Sequence, residues 1–113
     1  MRTLNDYFLT SEIPDVSTAS STFVNVPDGG RIIKIFAHNQ STTTGTAAIT
    51  FETDGVACTS AAISHVASGS AGQKYEVEPT SLNSVNEGSV IEAITDGGST
   101  NTSIMKITYV IRR

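Results

Sequence analysis

The 113-residue sequence predicts an all-β domain, on three observations. Isoleucine and valine together number 20 residues against five for leucine plus methionine, and β-branched side chains fit a pleated strand better than a helix. Thirty serines and threonines supply a polar, uncharged surface. Clusters of Gly, Asn, Asp and Pro separate short runs in which apolar and polar residues alternate, which is the pattern of many short strands. The length allows one domain.

Eight strands are predicted from this alternation and from the turns that bound it. The first strand ends at the Pro-Asp-Gly-Gly turn of residues 27–30, and Asp54-Gly55 is typical of a type I′ hairpin, in which both residues take positive φ. The last run alternates over its whole length and is the clearest strand. The predicted strands are residues 22–26, 31–39, 47–53, 56–58, 62–67, 74–77, 89–95 and 102–111.

Between the strands lie polar loops, at residues 40–46, 68–73 and 96–101, and a longer connection at residues 80–88. Segments of this kind have little apolar surface to bury, so we expect them at the surface. Eight short strands that must cover one another's apolar faces indicate a single jelly-roll-like β-sandwich of antiparallel strands, over residues 21–113.

Residues 1–20 have a different pattern, which predicts an extended or short-helical N-terminal arm. Leu4, Tyr7 and Phe8 have the i, i+3, i+4 spacing of a helix face, and Pro14 prevents a helix from continuing. A helix of one or two turns is marginal on its own, so such an arm needs a surface to lie on. Two surfaces remain open, the domain's own sheet and a partner protein.

Charge and composition argue against nucleic-acid binding and against a membrane location. The net charge is -4, and the seven Lys and Arg residues are scattered, so no basic stripe can neutralise several phosphates. No apolar run reaches the length of a secretory signal core or a membrane span, and we therefore expect synthesis in the cytoplasm. Cys58 is the single cysteine, which excludes an internal disulfide and a cysteine-based zinc cluster.

Residues that could act in catalysis are few and dispersed. His38 and His65 lie in different predicted strands, and no serine stands in a Gly-x-Ser-x-Gly elbow. We interpret both histidines as surface or hydrogen-bonded strand residues. The sequence therefore predicts a non-enzymatic protein with no catalytic residues and no cofactor.

Two pairs of carboxylates are the candidates for a metal site. Each pair has i, i+2 spacing, so its two side chains share one face of a strand. The pairs are Glu52 with Asp54 and Glu76 with Glu78. Carboxylate oxygens suit a hard cation such as calcium, but solvated acidic rims on two strands explain the same pattern. We therefore predict that the protein binds no metal.

Five segments in a fixed order carry a family resemblance. They are LNDYFLTSEIPDVSTASSTFV, VPDGGRIIKIF, TAAITFETDGVA, NSVNEGSVIEAITDGGST and the closing ITYVIRR. In this order they resemble the small capsid decoration, or cement, proteins of tailed bacteriophages, over almost the whole chain. The resemblance implies a jelly-roll β-sandwich, often a homotrimer, on the exterior of an icosahedral head. There it would tie together neighbouring subunits of the major capsid protein and so stabilise the head.

Under this interpretation the N-terminal arm supplies a partner contact. Five apolar residues in a terminal arm exceed what a small sandwich usually needs there, and an arm that orders on binding would use them as anchors. The predicted capsid or partner contact residues are Leu4, Tyr7, Phe8, Leu9 and Ile13. The alternative is that these residues cover the domain's own sheet.

Two other functions fit the same scaffold. A head- or tail-associated module that recognises a host surface glycan would display aromatic residues on one loop surface, and three tyrosines without tryptophan make a poor sugar platform. A cupin-like or lyase enzyme would need clustered metal ligands, which the sequence does not show. The structural role is favoured, and its discriminating consequence is a high copy number in the virion.

Overall fold

The chain folds into two antiparallel β-sheets, as the composition and alternation predict. The computed structural model describes residues 6–65 and 69–113, and these residues form ten strands and no helix. The strands are β1 (Asp6–Ile13), β2 (Ser20–Asn25), β3 (Gly30–Asn39), β4 (Ala48–Thr53), β5 (Val56–Ala57), β6 (Ile63–Ser64), β7 (Lys74–Val77), β8 (Ser84–Val85), β9 (Val90–Thr95) and β10 (Met105–Arg112).

Each sheet contains five strands. In the front sheet the order is β1-β10-β3-β7, and β8 also pairs with β3. In the back sheet the order is β2-β9-β4-β5, and β6 also pairs with β4. The edge strands β1 and β2 lie side by side, and the hydroxyl of Thr22 donates a hydrogen bond to the carbonyl oxygen of Glu12 at 2.9 Å. This contact joins the two sheets along one side.

The eight predicted strands correspond to eight of the observed ones. Asp54 and Gly55 have φ angles of 49° and 83°, so the turn between β4 and β5 has the two positive φ values that its sequence predicts. The predicted strand at residues 62–67 is shorter, since β6 covers two residues and residues 66–67 lie outside the described part. The connection at residues 80–88 contains the short strand β8, because Val85 reaches the core.

Of the two forms predicted for the N-terminal arm, extended or short-helical, the short helix is wrong for the residues that the structure describes. Residues 6–13 form β1, which pairs with β10 along all eight of its residues. A strand forms here because β10 offers a free edge, whereas an isolated helix of this length gains little stability. The start of the segment, including Leu4, lies outside the described residues.

The core lies between the two sheets and is rich in β-branched residues. Alternate side chains of each long strand point inward, as the two-residue period of a strand requires. The buried apolar residues are Ile13, Val16, Val26, Ile32, Ile35, Ala37, Ala47, Ile49, Phe51, Ala61, Ile63, Val85, Ile91, Ala93, Met105, Ile107, Tyr109 and Ile111. The sequence-predicted strands therefore supply most of the core.

Candidate interaction surfaces

The five predicted contact residues do not share one face. Tyr7 and Leu9 are half-buried against the core, and Ile13 is buried. Phe8 points to the outer face of the front sheet and is 46% exposed. Leu4 lies outside the described residues. The alternation along β1 thus divides the set, with three side chains packed on the protein's own core and one facing outward.

Tyr7 is further held by the end of the sandwich. Its hydroxyl donates a hydrogen bond to the carbonyl oxygen of Asp28, and the guanidinium of Arg113 lies 5.7 Å from the centre of its ring. Burial, followed by the negative charge of Asp28, raises the pKa of the Tyr7 phenol. The side chain therefore acts in the packing of β1 against the β2–β3 turn.

The outer face of the front sheet carries an apolar depression. Phe8 on β1 is opposite Val110 on β10, and Val110 is in turn opposite Lys34 on β3. The register shifts at Val110, where β3 contains an extra residue, and Ile33 and Phe36 complete the apolar lining. The depression has a volume of about 450 Å³ and is open to solvent.

Lys34 links this depression to the acidic end of β7. Its ammonium group lies 3.7 Å from the carboxylate of Glu76 and 3.4 Å from that of Glu78, and 5.5 Å from the centre of the Phe36 ring. Glu76 and Glu78, one of the two candidate carboxylate pairs for a metal cation, thus both contact the ammonium of Lys34. Exposed ion pairs of this kind add little stability, but they hold Lys34 against the apolar surface.

Two more cations on this face, Lys106 and Arg112, are also paired. Lys106 lies 3.0 Å from Glu12, and Arg112 makes two hydrogen bonds, at 2.8 and 3.0 Å, to the carboxylate of Asp6. Both pairs join β1 to β10. Hydrogen bonding to Asp6 and its negative charge raise the pKa of Arg112. The outer front face is therefore largely neutral around its apolar centre.

A second depression adjoins the first at the start of β3. It has a volume of about 410 Å³ and is more polar. Arg31 is exposed at its edge and makes no ion pair with any residue that the structure describes. The buried amide of Asn83 donates hydrogen bonds to the carbonyl oxygens of Ile32 and Pro79, which fixes the floor. The lining residues are Arg31, Ile33, Glu78, Pro79, Thr80 and Asn83.

The back sheet presents a different outer face. Phe23 on β2 is 63% exposed and lies opposite Glu92 on β9, which lies opposite Glu52 on β4. Like charges directly across a sheet are unfavourable, and neither carboxylate pairs with a cation in residues 6–65 or 69–113. This face is therefore acidic, whereas the front face is neutral and apolar.

The two histidines have structural surroundings. His65 is fully buried, and its Nε2 accepts a hydrogen bond from the backbone N–H of Ala47 at 3.1 Å. His38 is half-buried, and its Nε2 lies 2.8 Å from Nε2 of Gln40. In the part of the chain that the structure describes, no three His, Cys, Asp or Glu side chains converge as metal ligands.

Three aspartates, of which Asp54 and Asp96 are exposed and Asp15 is half-buried, stabilise turns by accepting hydrogen bonds from the backbone. The backbone N–H of Val90 donates to Asp54, those of Ala48 and Gly98 donate to Asp96, and that of Ser17 donates to Asp15. These bonds lower the pKa of Asp54 and Asp96, and the hydroxyl and N–H of Ser17 lower that of Asp15. Asp54, a member of the candidate metal-binding pair Glu52 and Asp54, is thus a residue that caps a turn.

The fold is shared with solved capsid structures of phages. A chain of the acidic stable capsid structure of Helicobacter pylori bacteriophage KHP30 matches with a TM-score of 0.61 and 9% identity, over 96% of this chain and 87% of that one. A chain of the cyanophage Pam1 capsid asymmetric unit matches with a TM-score of 0.57 and 13% identity, over 99% and 89%.

The same architecture also occurs within a larger bacterial protein. The dimeric latent PorU of Porphyromonas gingivalis matches with a TM-score of 0.52 and 15% identity, over 96% of this chain and 13% of that one. No family model matches the chain, and no curated protein matches it. At these identities the likenesses show a common fold. No helix in residues 6–65 or 69–113 is long and apolar enough to cross a membrane.

Proposed function

We propose that the chain is a non-enzymatic structural protein of a bacteriophage virion. In this role it binds the outside of the capsid and bridges neighbouring subunits of the major capsid protein. The observation that carries the proposal is the likeness to two phage capsid chains, which extends over nine-tenths or more of this chain and over 87% and 89% of theirs. A match that covers both chains compares whole folds rather than a shared fragment.

The strand order supports a jelly roll as the finer description of the fold. Successive long strands alternate between the sheets, with β1 and β3 in the front sheet and β2 and β4 in the back sheet. Strand β10 returns between β1 and β3, and β9 returns between β2 and β4. The four-strand paths with these returns, to which β8 and β6 are added, have the strand order of a jelly roll, an architecture common in viral capsids.

The proposed mechanism is bridging without chemistry. Many modest contacts on a repeated lattice stabilise a particle through multivalency and mass action, so no single interface has to be strong. Phe8, which is exposed on the outer front face, is proposed to contact the capsid, and Leu4 is proposed to join it. A homotrimer is proposed as the form that attaches to the capsid.

Glycan recognition is the less favoured function. The two aromatic side chains that are strongly exposed, Phe8 and Phe23, lie on the outer faces of opposite sheets. Tyr109 is buried, and Tyr7 and Tyr75 are half-buried. A sugar platform needs several aromatic faces gathered on one surface, whereas Phe8 shares the outer front depression with the half-buried Phe36 alone and Phe23 lies on the opposite sheet.

The copy number per particle tests the proposal. Quantitative mass spectrometry of purified virions would compare this chain with the major capsid protein. We expect a ratio near one per capsid subunit, within a factor of about three that lattice symmetry allows. A few copies per particle would place the chain at a vertex, tail or spike and favour the recognition function, and its absence from the particle would overturn the proposal.

A further inference from the structure

The two depressions on the outer front face adjoin each other along β3, because Ile33 and Glu78 line both, and we call them together the groove. Together they run from Arg31 to Phe36. Five residue steps along a strand span about 16 Å, which is the length of a short extended segment of polypeptide. The volumes of about 450 and 410 Å³ each exceed what one side chain fills.

The two ends of the groove differ in chemistry. At one end Phe8, Phe36 and Val110 offer apolar surface. At the other end Arg31 offers a guanidinium that has no carboxylate partner among the described residues. Arginine can bind a carboxylate through two parallel hydrogen bonds, so an unmatched guanidinium at a polar depression favours an acidic group.

The neighbouring charges leave Arg31 as the available cation of the groove. Glu78 lines both depressions, but its carboxylate lies 3.4 Å from the ammonium of Lys34. Arg112, which is opposite Arg31 on β10, is held by Asp6. An acidic group that enters the polar end would therefore meet the guanidinium of Arg31, which has no carboxylate partner among the described residues, while Glu76 and Glu78 share the ammonium of Lys34.

We propose that this groove binds an extended segment of a capsid protein that carries an apolar side chain at one end and a carboxylate at the other. The apolar side chain packs on Phe36 and Val110, and the carboxylate pairs with Arg31. This inference rests on the proposed function and names the surface that serves it. A small free anion would not use the apolar half, and a purely apolar partner would leave the guanidinium unmatched.

Binding of variants to particles tests the groove. Virions of the phage that encodes the chain are stripped of it, and purified protein is added back and measured by co-sedimentation. Arg31→Glu reverses the charge at the polar end, and Val110→Lys places a charge in the apolar end. Each is expected to weaken binding about 10-fold or more, whereas Arg31→Lys keeps binding within about 5-fold.

Two matched controls separate the groove from general effects of charge. Lys74→Glu reverses an exposed cation at the far end of the same face, and Thr50→Lys adds a lysine to the outer back face. Both are expected to bind within about 3-fold of wild type. Thermal unfolding of each variant shows that it folds, since all four positions are on outer faces.

The outcomes distinguish the groove from the function. If the wild-type chain does not bind stripped particles, the proposed function fails, and the groove proposal fails with it. If wild type binds and both groove variants bind equally well, the groove proposal is overturned while the capsid role stands. If only Arg31→Glu or only Val110→Lys weakens binding, the proposal that the bound segment carries both an apolar side chain and a carboxylate is overturned.

Discussion

The rings of Phe51 and Tyr109 meet edge to face across the two sheets, with centroids 5.9 Å apart and planes at 90°. Phe51 belongs to β4 of the back sheet and Tyr109 to β10 of the front sheet, and both are buried. The contact joins the centres of the sheets that carry the two outer faces. It is one of the buried contacts that pack the front sheet against the back sheet.

Loss of the Phe51 ring should destabilise the protein strongly. Phe51→Ala removes a fully buried ring, and such changes cost about 3 to 5 kcal/mol in the free energy of unfolding. Tyr109→Phe should change it by less than about 1 kcal/mol, because the Tyr109 hydroxyl approaches that of Ser11 without a hydrogen bond of normal geometry. Urea unfolding followed by circular dichroism measures both, and Phe23→Ala is the exposed control. Equal effects of Phe51→Ala and Phe23→Ala would contradict the packing described.

Tyr109 should make the fold sensitive to alkali. Burial raises the pKa of its phenol to about 12, while the Ser11 hydroxyl opposes the shift. Because the folded pKa is above the unfolded value of 10.0, this stabilisation is complete below pH 10 and is lost as the pH rises toward 12. A rise of the Tyr109 pKa from 10.0 to about 12 corresponds to roughly 3 kcal/mol in the free energy of unfolding. Unfolding measured from pH 8 to 12 should show this decline in wild type, and Tyr109→Phe should flatten it.

Asp96 should contribute to stability at neutral pH and lose that contribution in acid. Backbone hydrogen bonds from Ala48 and Gly98 lower its pKa below 3.8. A depressed folded pKa gives stability that is present above the unfolded pKa and lost as the pH falls through the folded one. Asp96→Asn should lower the thermal midpoint at pH 7 and reduce its fall below pH 4. Glu87→Gln, at an exposed carboxylate, is the control. An unchanged acid profile in Asp96→Asn would refute this role.

Hydrogen exchange should separate a paired strand from a free arm at β1. The backbone N–H of Gln40 donates a hydrogen bond to the carbonyl of Ile104, so Ile104 and every second residue after it direct their backbone groups toward β3. The residues between them direct theirs toward β1, and these include the partners of Leu9 and Ser11. The backbone groups of Leu9 and Ser11 therefore face β10. We expect slow exchange at Leu9 and Ser11 and fast exchange at Thr10, as measured by NMR. Uniformly fast exchange over residues 6–13 would instead support the separable arm of residues 1–20.

Gly97 should not tolerate a side chain. It has a φ of 75°, and a Cβ atom there would overlap the backbone of Ala19. Gly97→Ala should therefore cost more than about 2 kcal/mol in the free energy of unfolding, from strain and displacement of the β1–β2 connection. Gly55→Ala is the matched control, because Gly55 has a φ of 83° with open space around it and should cost only about 1 kcal/mol. Equal costs measured by urea unfolding would show that the approach to Ala19 does not matter.

Local patterns in the sequence predict most of the strands but not the role of the N-terminal segment. The alternation of residues 102–111 indicates a strand, and the structure has β10 there, at Met105–Arg112. The Asp54-Gly55 dipeptide indicates a turn with two positive φ angles, which the structure also has. Leu4, Tyr7 and Phe8 fit a helix, but Tyr7, Leu9 and Ile13 also fit a strand by period two. The first spacing alone leaves both a short helix and an extended arm open. The second spacing was the signal that could have revealed β1.

The groove could not be predicted from the sequence. Phe8, Arg31 and Val110 are far apart along the chain, and they meet because β10 returns between β1 and β3. The extra residue of β3 at the register shift places both Ile33 and Lys34 at the outer face, which no alternation rule indicates. Pairing between distant strands decides such features.

The sequence by itself determined the all-β class and the positions of eight of the ten described strands, because side-chain period and turn chemistry act over a few residues. The tertiary structure alone decided which edge accepts β1, which charges are neutralised across strands, and that Arg31 has no carboxylate partner within residues 6–65 and 69–113 beside the groove. These depend on long-range pairing, in which each strand takes the partner that buries its apolar face and satisfies its backbone hydrogen bonds.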